Sequence, residues 1–482
     1  MNLIDQLRAA VGTANVLTHD DPGADLSPWE QDWRKRVRGK ALAVVRPGST
    51  DEVASVVRAV AAARAAGQSV SIVPQGGNTG LVVGGVPDAS GTQVLLTLQR
   101  MNRVRAIDPA NLTITVEAGC VLQNLQKVAD DAGFLFPLSL GAEGSCTIGG
   151  NLGTNAGGTQ VVRYGNTREL CLGLEVVTAQ GEIWSGLTGL RKDNTGYDLR
   201  DLFIGAEGTL GVVTAATMKL YPRPAAQLTA WAAVPSMDHA VQLLGLAHQH
   251  LGAGLTGFEV MGQFALSLVD KHYPQMRVPL YKDTPWCVLL ETSDSESEDH
   301  ARSRFEALLE KAMEDGAVTD AVIAENLTQA HALWHIRESI TLAQVEEGLN
   351  IKHDISIPVS SIPKFCEVTD AILQREVPGV RLVNFGHLGD GNLHYNVQAP
   401  STGPYANDTS GFLRDWEDKV NTLVFDSVKA FNGSISAEHG IGNLKAAKLP
   451  DYKSAVALQM MRAIKQALDP QGIMNPGRVL AL

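Results

Sequence analysis

Two periodicities share this chain, and the places where one gives way to the other mark its elements. Apolar residues spaced three and four apart alternate with short apolar runs bounded by Gly, Pro, Asn and Asp, the signatures of helix and strand. Residues 1–12 read as a short amphipathic helix with charges inside it. Ser49-Thr50-Asp51-Glu52 opens an alanine- and valine-rich helix ending at Gly67, with Thr50 as its N-cap. Residues 70–73 then form a short buried strand running into a glycine turn, and 94–98 form another. A hairpin spans 103–117 around Asp108-Pro109-Ala110-Asn111, followed by a helix over 121–132 and strands over 173–178 and 211–220. Two prolines in Tyr221-Pro222-Arg223-Pro224 stop regular structure and mark a boundary. Beyond it, strands at 228–234 and 286–291 alternate with helices at 237–251 and 300–315. A long helix over 327–347 precedes a strand over 351–357. The pattern predicts an α+β chain with a first domain at 1–222, a second at 223–452, and a C-terminal segment, 453–482, that returns to the first.

Composition narrows the class. A chain of 482 residues is too long for one hydrophobic core, which agrees with two domains. The net charge of -12 would repel a polyanion, so nucleic acid is a poor partner while a local basic pocket for a small anion is still allowed. Five dispersed cysteines without a C-x-x-C pair argue against a disulfide framework and fit a reducing compartment. The N-terminal residues lack the basic and apolar regions of a signal peptide, and no run of about 18 apolar residues occurs. The expectation is a soluble, cytoplasmic protein.

Three segments are rich in glycine and neutral donors. They are Pro74-Gln75-Gly76-Gly77-Asn78-Thr79-Gly80, then 141–158, then Ile204-Gly205-Ala206-Glu207-Gly208-Thr209-Leu210-Gly211. Glycine lets consecutive N–H groups face one concavity and bind phosphate oxygens, and three such loops in one domain favour a large phosphate-bearing ligand. None is a G-x-G-x-x-G opening a helix, and no G-x-x-x-x-G-K-[ST] occurs, so nicotinamide and ATP-hydrolysing sites are disfavoured. P-Q-G-G-N-T-G, G-G-N-L-G-T-N-A-G-G and G-A-E-G-T-L-G resemble, in order and spacing, the FAD-binding domain of the vanillyl-alcohol oxidase type flavoproteins. The resemblance runs through nearly the whole chain. It implies a two-lobed FAD-binding (PCMH-type) domain and a substrate or cap domain with an antiparallel sheet and flanking helices. It places the cofactor on Pro74 to Gly80 with Leu81, and on Pro137, Leu138, Gly141, Gly144, Ser145, Ile148, Gly149, Gly150, Asn151, Thr154, Asn155, Gly157 and Gly158. Glu207, Gly208, Gly211, Val212 and Asn475 complete the set. Some relatives tether flavin through a histidine in the first loop; here that loop carries Asn78, which predicts non-covalent FAD.

The other informative run is Gly386-His387-Leu388-Gly389-Asp390-Gly391-Asn392-Leu393-His394-Tyr395-Asn396, with Ser436-Ala437-Glu438-His439-Gly440 later. Paired histidines often only satisfy backbone partners. Two imidazoles and a carboxylate framed by glycines also make a divalent metal site, zinc being favoured over Mn²⁺ or Co²⁺. Oxidising a 2-hydroxy acid requires its hydroxyl to lose a proton, which a Lewis acid and a base together achieve. In that division His387, His394 and Glu438 hold the metal and His439 is the base. These motifs resemble the D-2-hydroxy acid dehydrogenase branch, where the matching residues have those roles.

Arg337 and Thr341 are four apart on the long helix and share a side, so Arg337 either grips a substrate carboxylate or pairs with Glu338 or another acid. The run R-E-S-I-T, then K-H-D-I-S-I-P, then H-L-G-D-G-N-L-H-Y-N is similar to members of the branch that act on D-2-hydroxyglutarate. That implies substrate contacts from Arg337, Thr341, Lys352, Asn396 and His439, with Lys352 on the second carboxylate and 2-oxoglutarate as product. D-lactate or glycolate is the alternative substrate. The family further implies an electron-transferring flavoprotein or a quinone as acceptor, and a homodimer is the expected oligomer.

Overall fold

The computed structural model describes residues 2–481 and divides into two compact units. The first comprises Met1–Gly157, Gly165–Pro222 and Glu438–Leu482; the second comprises Gly158–Tyr164 and Arg223–Ala437. Residues 438–452 thus fall with the first unit rather than with the second. The physical reason is local: the Glu207 carboxylate accepts the N–H groups of Ile441 and Gly442, each at 2.7 Å.

The first unit contains two large sheets and a two-stranded one that pairs Phe134–Leu135 with Tyr221–Pro222. A four-stranded sheet runs in the order Val16–Leu17, Ala41–Val45, Gln93–Thr97, Ser71–Gln75, with the last three strands parallel. Parallel strands need a crossover, and the helix Thr50–Ala65 supplies it between Ala41–Val45 and Ser71–Gln75, which flank Gln93–Thr97. Its apolar side, Val53, Val56, Val57 and Val60, is fully buried. Ser49 rather than Thr50 caps this helix. Ser49 is extended (φ -152°) and its side chain accepts the Glu52 N–H, whereas the Thr50 hydroxyl donates to Glu175 at 2.6 Å. The second sheet is antiparallel, in the order Val104–Asp108, Thr113–Glu117, Gly211–Lys219, Cys171–Thr178, Ile183–Gly186. One core joins both, with Val57, Ile72 and Leu96 from one side meeting Ala118, Val177 and Val212 from the other. Ile473 and Met474 complete it: Ile72 donates to Ile473 O and accepts from the Asn475 N–H.

The second unit is built on an antiparallel sheet of eight strands. Its order is Asp320–Ile323, Ala226–Val234, Trp286–Asp294, Leu255–Gly262, Arg381–His387, Asn392–Gln398, then Asn350–Ile351, with Asp354–Ser356 also on Asn392–Gln398. One face carries Trp231, Met261, Cys287, Leu289, Val383 and Phe385 against Leu266 and Val269 of the helix Gln263–His272 and Ile336 and Ile340 of the helix Leu327–Glu347. The strand expected over 351–357 is interrupted at Lys352 and His353. The two pieces keep one register on their neighbour, but the His353 N–H goes to the Asn396 side chain at 3.1 Å instead of a backbone carbonyl. A side chain from the facing strand breaks the ladder.

The chain is α+β. All five cysteines are buried and free. Among the described residues no helix is long and apolar enough to cross a membrane.

Candidate active site

Two strands and the turn between them set the histidines. Arg381–His387 and Asn392–Gln398 pair antiparallel, with His387 opposite Asn392 and Phe385 opposite His394. Side chains alternate along strands, so Phe385, His387, Asn392 and His394 share one face. The imidazole centroids lie 5.5 Å apart. The turn needs Gly391: its φ is +85°, and a Cβ there would stand 2.5 Å from Ile357 O.

The chain leaves the second unit through Ala437, whose N–H donates to Asp354 O at 3.3 Å, and the next residue is Glu438. His387 and His394 thus lie together on the second unit's sheet, and Glu438 and His439 are the first residues past Ala437. Two imidazoles and a carboxylate suit a borderline-soft divalent ion. Asp354 is itself held, accepting from Asn392 Nδ2 at 3.0 Å.

Behind His387 stands Glu259, in the strand Leu255–Gly262, directly across the ladder. Its Oε1 lies 2.6 Å from His387 Nδ1, and its Oε2 lies 2.7 Å from Arg337 Nε and 2.6 Å from Nη2. Burial alone would push this carboxyl up, but the charges of His387 and Arg337 beside it bring it down to about 2. Arg337 is therefore buried on an acid 78 positions away in sequence rather than on Glu338, and its guanidinium also lies 4.9 Å over the Phe385 ring. Thr341, one turn on, is exposed. Lys352 is half-buried and falls opposite Asn396 in the register of its strand. Asn396 is buried, with its Oδ1 accepting from His353 and its Nδ2 donating to Gln344 Oε1 at 2.9 Å.

In the first unit the three glycine-rich loops meet. A Cβ on Gly76 would stand 2.4 Å from Thr147 Oγ1, and one on Gly77 2.1 Å from Ser145 O, so the first loop lies against the second with no room for a side chain. The third loop ties to the helix Ile148–Thr154 through Gly205 N–H to Leu152 O and Glu207 N–H to Gly153 O, both 2.8 Å. Around Gly80, Gly141 and Gly153, by contrast, a Cβ would meet nothing within 4 Å. There glycine opens space instead of permitting packing, which fits a large ligand laid along the loops. Asn78 and Glu207 both have left-handed backbones, φ 54° and 52°. Asn78 Nδ2 reaches Gln31 O at 2.8 Å. Burial pushes the Glu207 carboxyl up, offset in part by the Ile441 and Gly442 amides. Asn475 Nδ2 binds Gly84 O and Glu207 O. Glu207 and Asn475, expected at the cofactor, thus use these side-chain atoms to hold loops.

Glu259, Asp354 and Gln344 were not singled out from the sequence. Glu259 did leave a signal, a lone acid in the wholly buried strand Leu255–Gly262. A charge so placed is kept only with a partner.

Residues 41–186 match the family model described as an FAD binding domain, and residues 223–479 match FAD linked oxidases, C-terminal domain. Fold and matches together define an FAD-dependent oxidoreductase. Solved structures agree on the fold: p-cresol methylhydroxylase with substrate bound (TM-score 0.74, 15% identity, 99% of this chain and 96% of that one) and 4-ethylphenol oxidase from Gulosibacter chungangensis (0.71, 18%, 99% and 96%). Curated relatives are similar over nearly the full length. D-2-hydroxyglutarate dehydrogenase of Arabidopsis thaliana, a mitochondrial protein, is 39% identical over 477 residues, 99% of this chain and 81% of the relative. That of Xanthomonas citri pv. viticola is 39% identical over 456 residues, 95% of this chain and 93% of the relative. The chain belongs to the FAD-linked oxidases of the vanillyl-alcohol oxidase type, in their D-2-hydroxy acid dehydrogenase branch.

Proposed function

We propose that the protein is an FAD- and divalent-metal-dependent dehydrogenase that oxidises D-2-hydroxyglutarate to 2-oxoglutarate. The observation that carries this reading is the pairing of His387 and His394 on one face of the second unit's sheet, with Glu438 and His439 directly after its last residue, in a chain whose full-length relatives bear that enzyme's name. FAD, held without a covalent link by the glycine-rich loops, would supply the hydride acceptor, and a divalent ion, zinc by its ligand types, would supply Lewis acidity toward the substrate hydroxyl.

The residues of the chain divide the remaining work. His387, His394 and Glu438 hold the ion. His387 donates from Nδ1 to Glu259, which leaves Nε2 as its ligating nitrogen. His439 collects the hydroxyl proton. Arg337, Thr341, Lys352 and Asn396 orient the substrate, with Lys352 on the distal carboxylate. The glycine-rich loops, from Pro74–Leu81 through Pro137, Leu138 and 141–158 to Glu207–Val212, with Asn475, carry the dinucleotide. An electron-transferring flavoprotein or a quinone re-oxidises the flavin, the oligomer is a dimer, and the buried free cysteines support a reducing, cytoplasmic setting.

Anaerobic titration with D- and L-2-hydroxy acids, with and without chelator, tests the reading through flavin bleaching. D-2-hydroxyglutarate should bleach it, the L-isomer should not, and chelator should slow the reaction. Bleaching unaffected by complete metal removal would refute the metal's role. Acid precipitation should release the yellow chromophore into the supernatant; colour staying with the polypeptide would refute non-covalent binding. A smaller acid such as D-lactate is the second reading, favoured by the pairing of Arg337 with Glu259, which occupies one anion-binding group.

A further inference from the structure

We infer that Glu259 is a positioning residue shared by the metal site and the substrate-anion site: one buried carboxylate aims His387 at the ion and holds Arg337 in place. The inference rests on the metal site proposed above and assigns a role to a residue outside it.

The two carboxylate oxygens are divided between two tasks. Oε1 accepts from His387 Nδ1 at 2.6 Å, and Oε2 accepts from Arg337 Nε at 2.7 Å with Nη2 beside it as an ion-pair contact at 2.6 Å. An imidazole that donates from Nδ1 presents the Nε2 lone pair, so Glu259 fixes the tautomer as well as the ring plane. Glu259 cannot drift, because it is fully buried in the middle of the strand Leu255–Gly262, with Leu289 and His387 as its ladder partners.

The contacts close into a circuit on one face of the sheet. From Glu259 they pass to His387, whose ring centroid is 5.5 Å from that of His394. The His394 ring meets the Phe385 ring at 4.9 Å with the planes tilted by 42°, and Phe385 lies 4.9 Å under the Arg337 guanidinium. Arg337 returns to Glu259. Two proposed ligands and the proposed anion-binding arginine are therefore set by one carboxylate and one ring before any substrate arrives. A circuit of this kind holds ligands to the tolerance catalysis needs.

The test compares zinc affinity, by competition with a chromophoric chelator, in three holo-flavoprotein variants. These are Arg337→Met, Arg337→Met with Glu259→Leu, and Arg337→Met with Glu259→Gln. Removing both charges avoids leaving Arg337 buried alone, and flavin absorbance and melting temperature report folding. Arg337→Met supplies the reference zinc affinity against which the two double variants are read. Adding Glu259→Leu should weaken zinc binding about 10- to 100-fold, and Glu259→Gln, which keeps an acceptor for Nδ1, should restore most of it. Equal affinities in all three, or a loss that Gln does not restore, overturn the inference. Wild-type protein that binds no zinc, manganese or cobalt would instead sink the metal reading itself.

Discussion

Glu259 and Glu291 lie on the same face of one sheet, under the same helix, and both are buried, yet their acidities part in opposite directions. Leu289 pairs with Glu259 and stands two residues from Glu291, which places the two carboxylates on a common side. Each receives a side chain from the helix Leu327–Glu347: Arg337 on Glu259 and Trp334 Nε1, at 2.9 Å, on Glu291. The remaining partners differ in kind. Glu259 has an imidazole and a guanidinium; Glu291 has only neutral donors, adding Gln227 Nε2 at 2.7 Å and Thr256 Oγ1 at 3.1 Å. Glu259 is held at about 2, while burial raises Glu291 and its neutral hydrogen bonds offset only part of that. Equal burial does not make equal acids. A buried carboxylate keeps its charge where cations match it, and elsewhere becomes a hydrogen-bonding clip that favours its proton.

The largest effect that tests this contrast is Glu259→Ala. It leaves Arg337 buried without its counter-ion and should cost about 3–5 kcal/mol in guanidinium denaturation, with most of that returned by adding Arg337→Met. A cost equal to that of Glu291→Ala would erase the distinction. The contrast also reaches the substrate. Under the proposed function, Arg337 is already matched by Glu259 and Lys352 takes the second charge of a dicarboxylate, so Lys352→Ala should lower kcat/KM for D-2-hydroxyglutarate about 10- to 100-fold, the loss of one charged hydrogen bond. D-lactate turnover should change much less; matched losses on both substrates would remove Lys352 from the distal carboxylate.

Glu291→Ala strands the neutral donors Gln227, Trp334, Thr256 and Thr229 and should cost about 1–3 kcal/mol. The smallest effect is that of Glu291→Gln, about 1 kcal/mol, and it carries a pH signature. The folded protein holds the Glu291 proton more tightly than the unfolded chain, for which the ordinary value is 4.5. This group's stabilisation is therefore complete below 4.5 and is lost as pH rises through its raised folded value. The wild-type advantage over Glu291→Gln should shrink as pH rises above 4.5 in paired denaturation curves. An advantage that grows with pH would mean that Glu291 is charged in the fold.

The contrast also marks what the sequence could say. His387 and His394 were legible because strand alternation and a glycine turn are local, and the three loops were legible because glycine is so conspicuous where backbones must touch. The helix over 327–347 followed from its periodicity. The partner of Arg337 was not legible, since Glu259 stands 78 positions before Arg337 and 128 before His387, and only the sheet order brings them together. The break at Lys352 and His353 escaped for the same reason: the Asn396 side chain that causes it arrives from a strand more than 40 residues on. Local rules found the groups that could do chemistry, and topology chose their supports.

The bracketing of Ile72 by Ile473 and Asn475 bears on synthesis as well as stability. The amide and carbonyl of a residue made early in translation are matched by residues made some 400 positions later. At about 5–20 residues per second, that interval is roughly 20 to 80 s. Throughout it the strand that leads into the first glycine-rich loop has one flank uncovered on the ribosome, and the core of the first unit closes only once residues 473–475 have emerged.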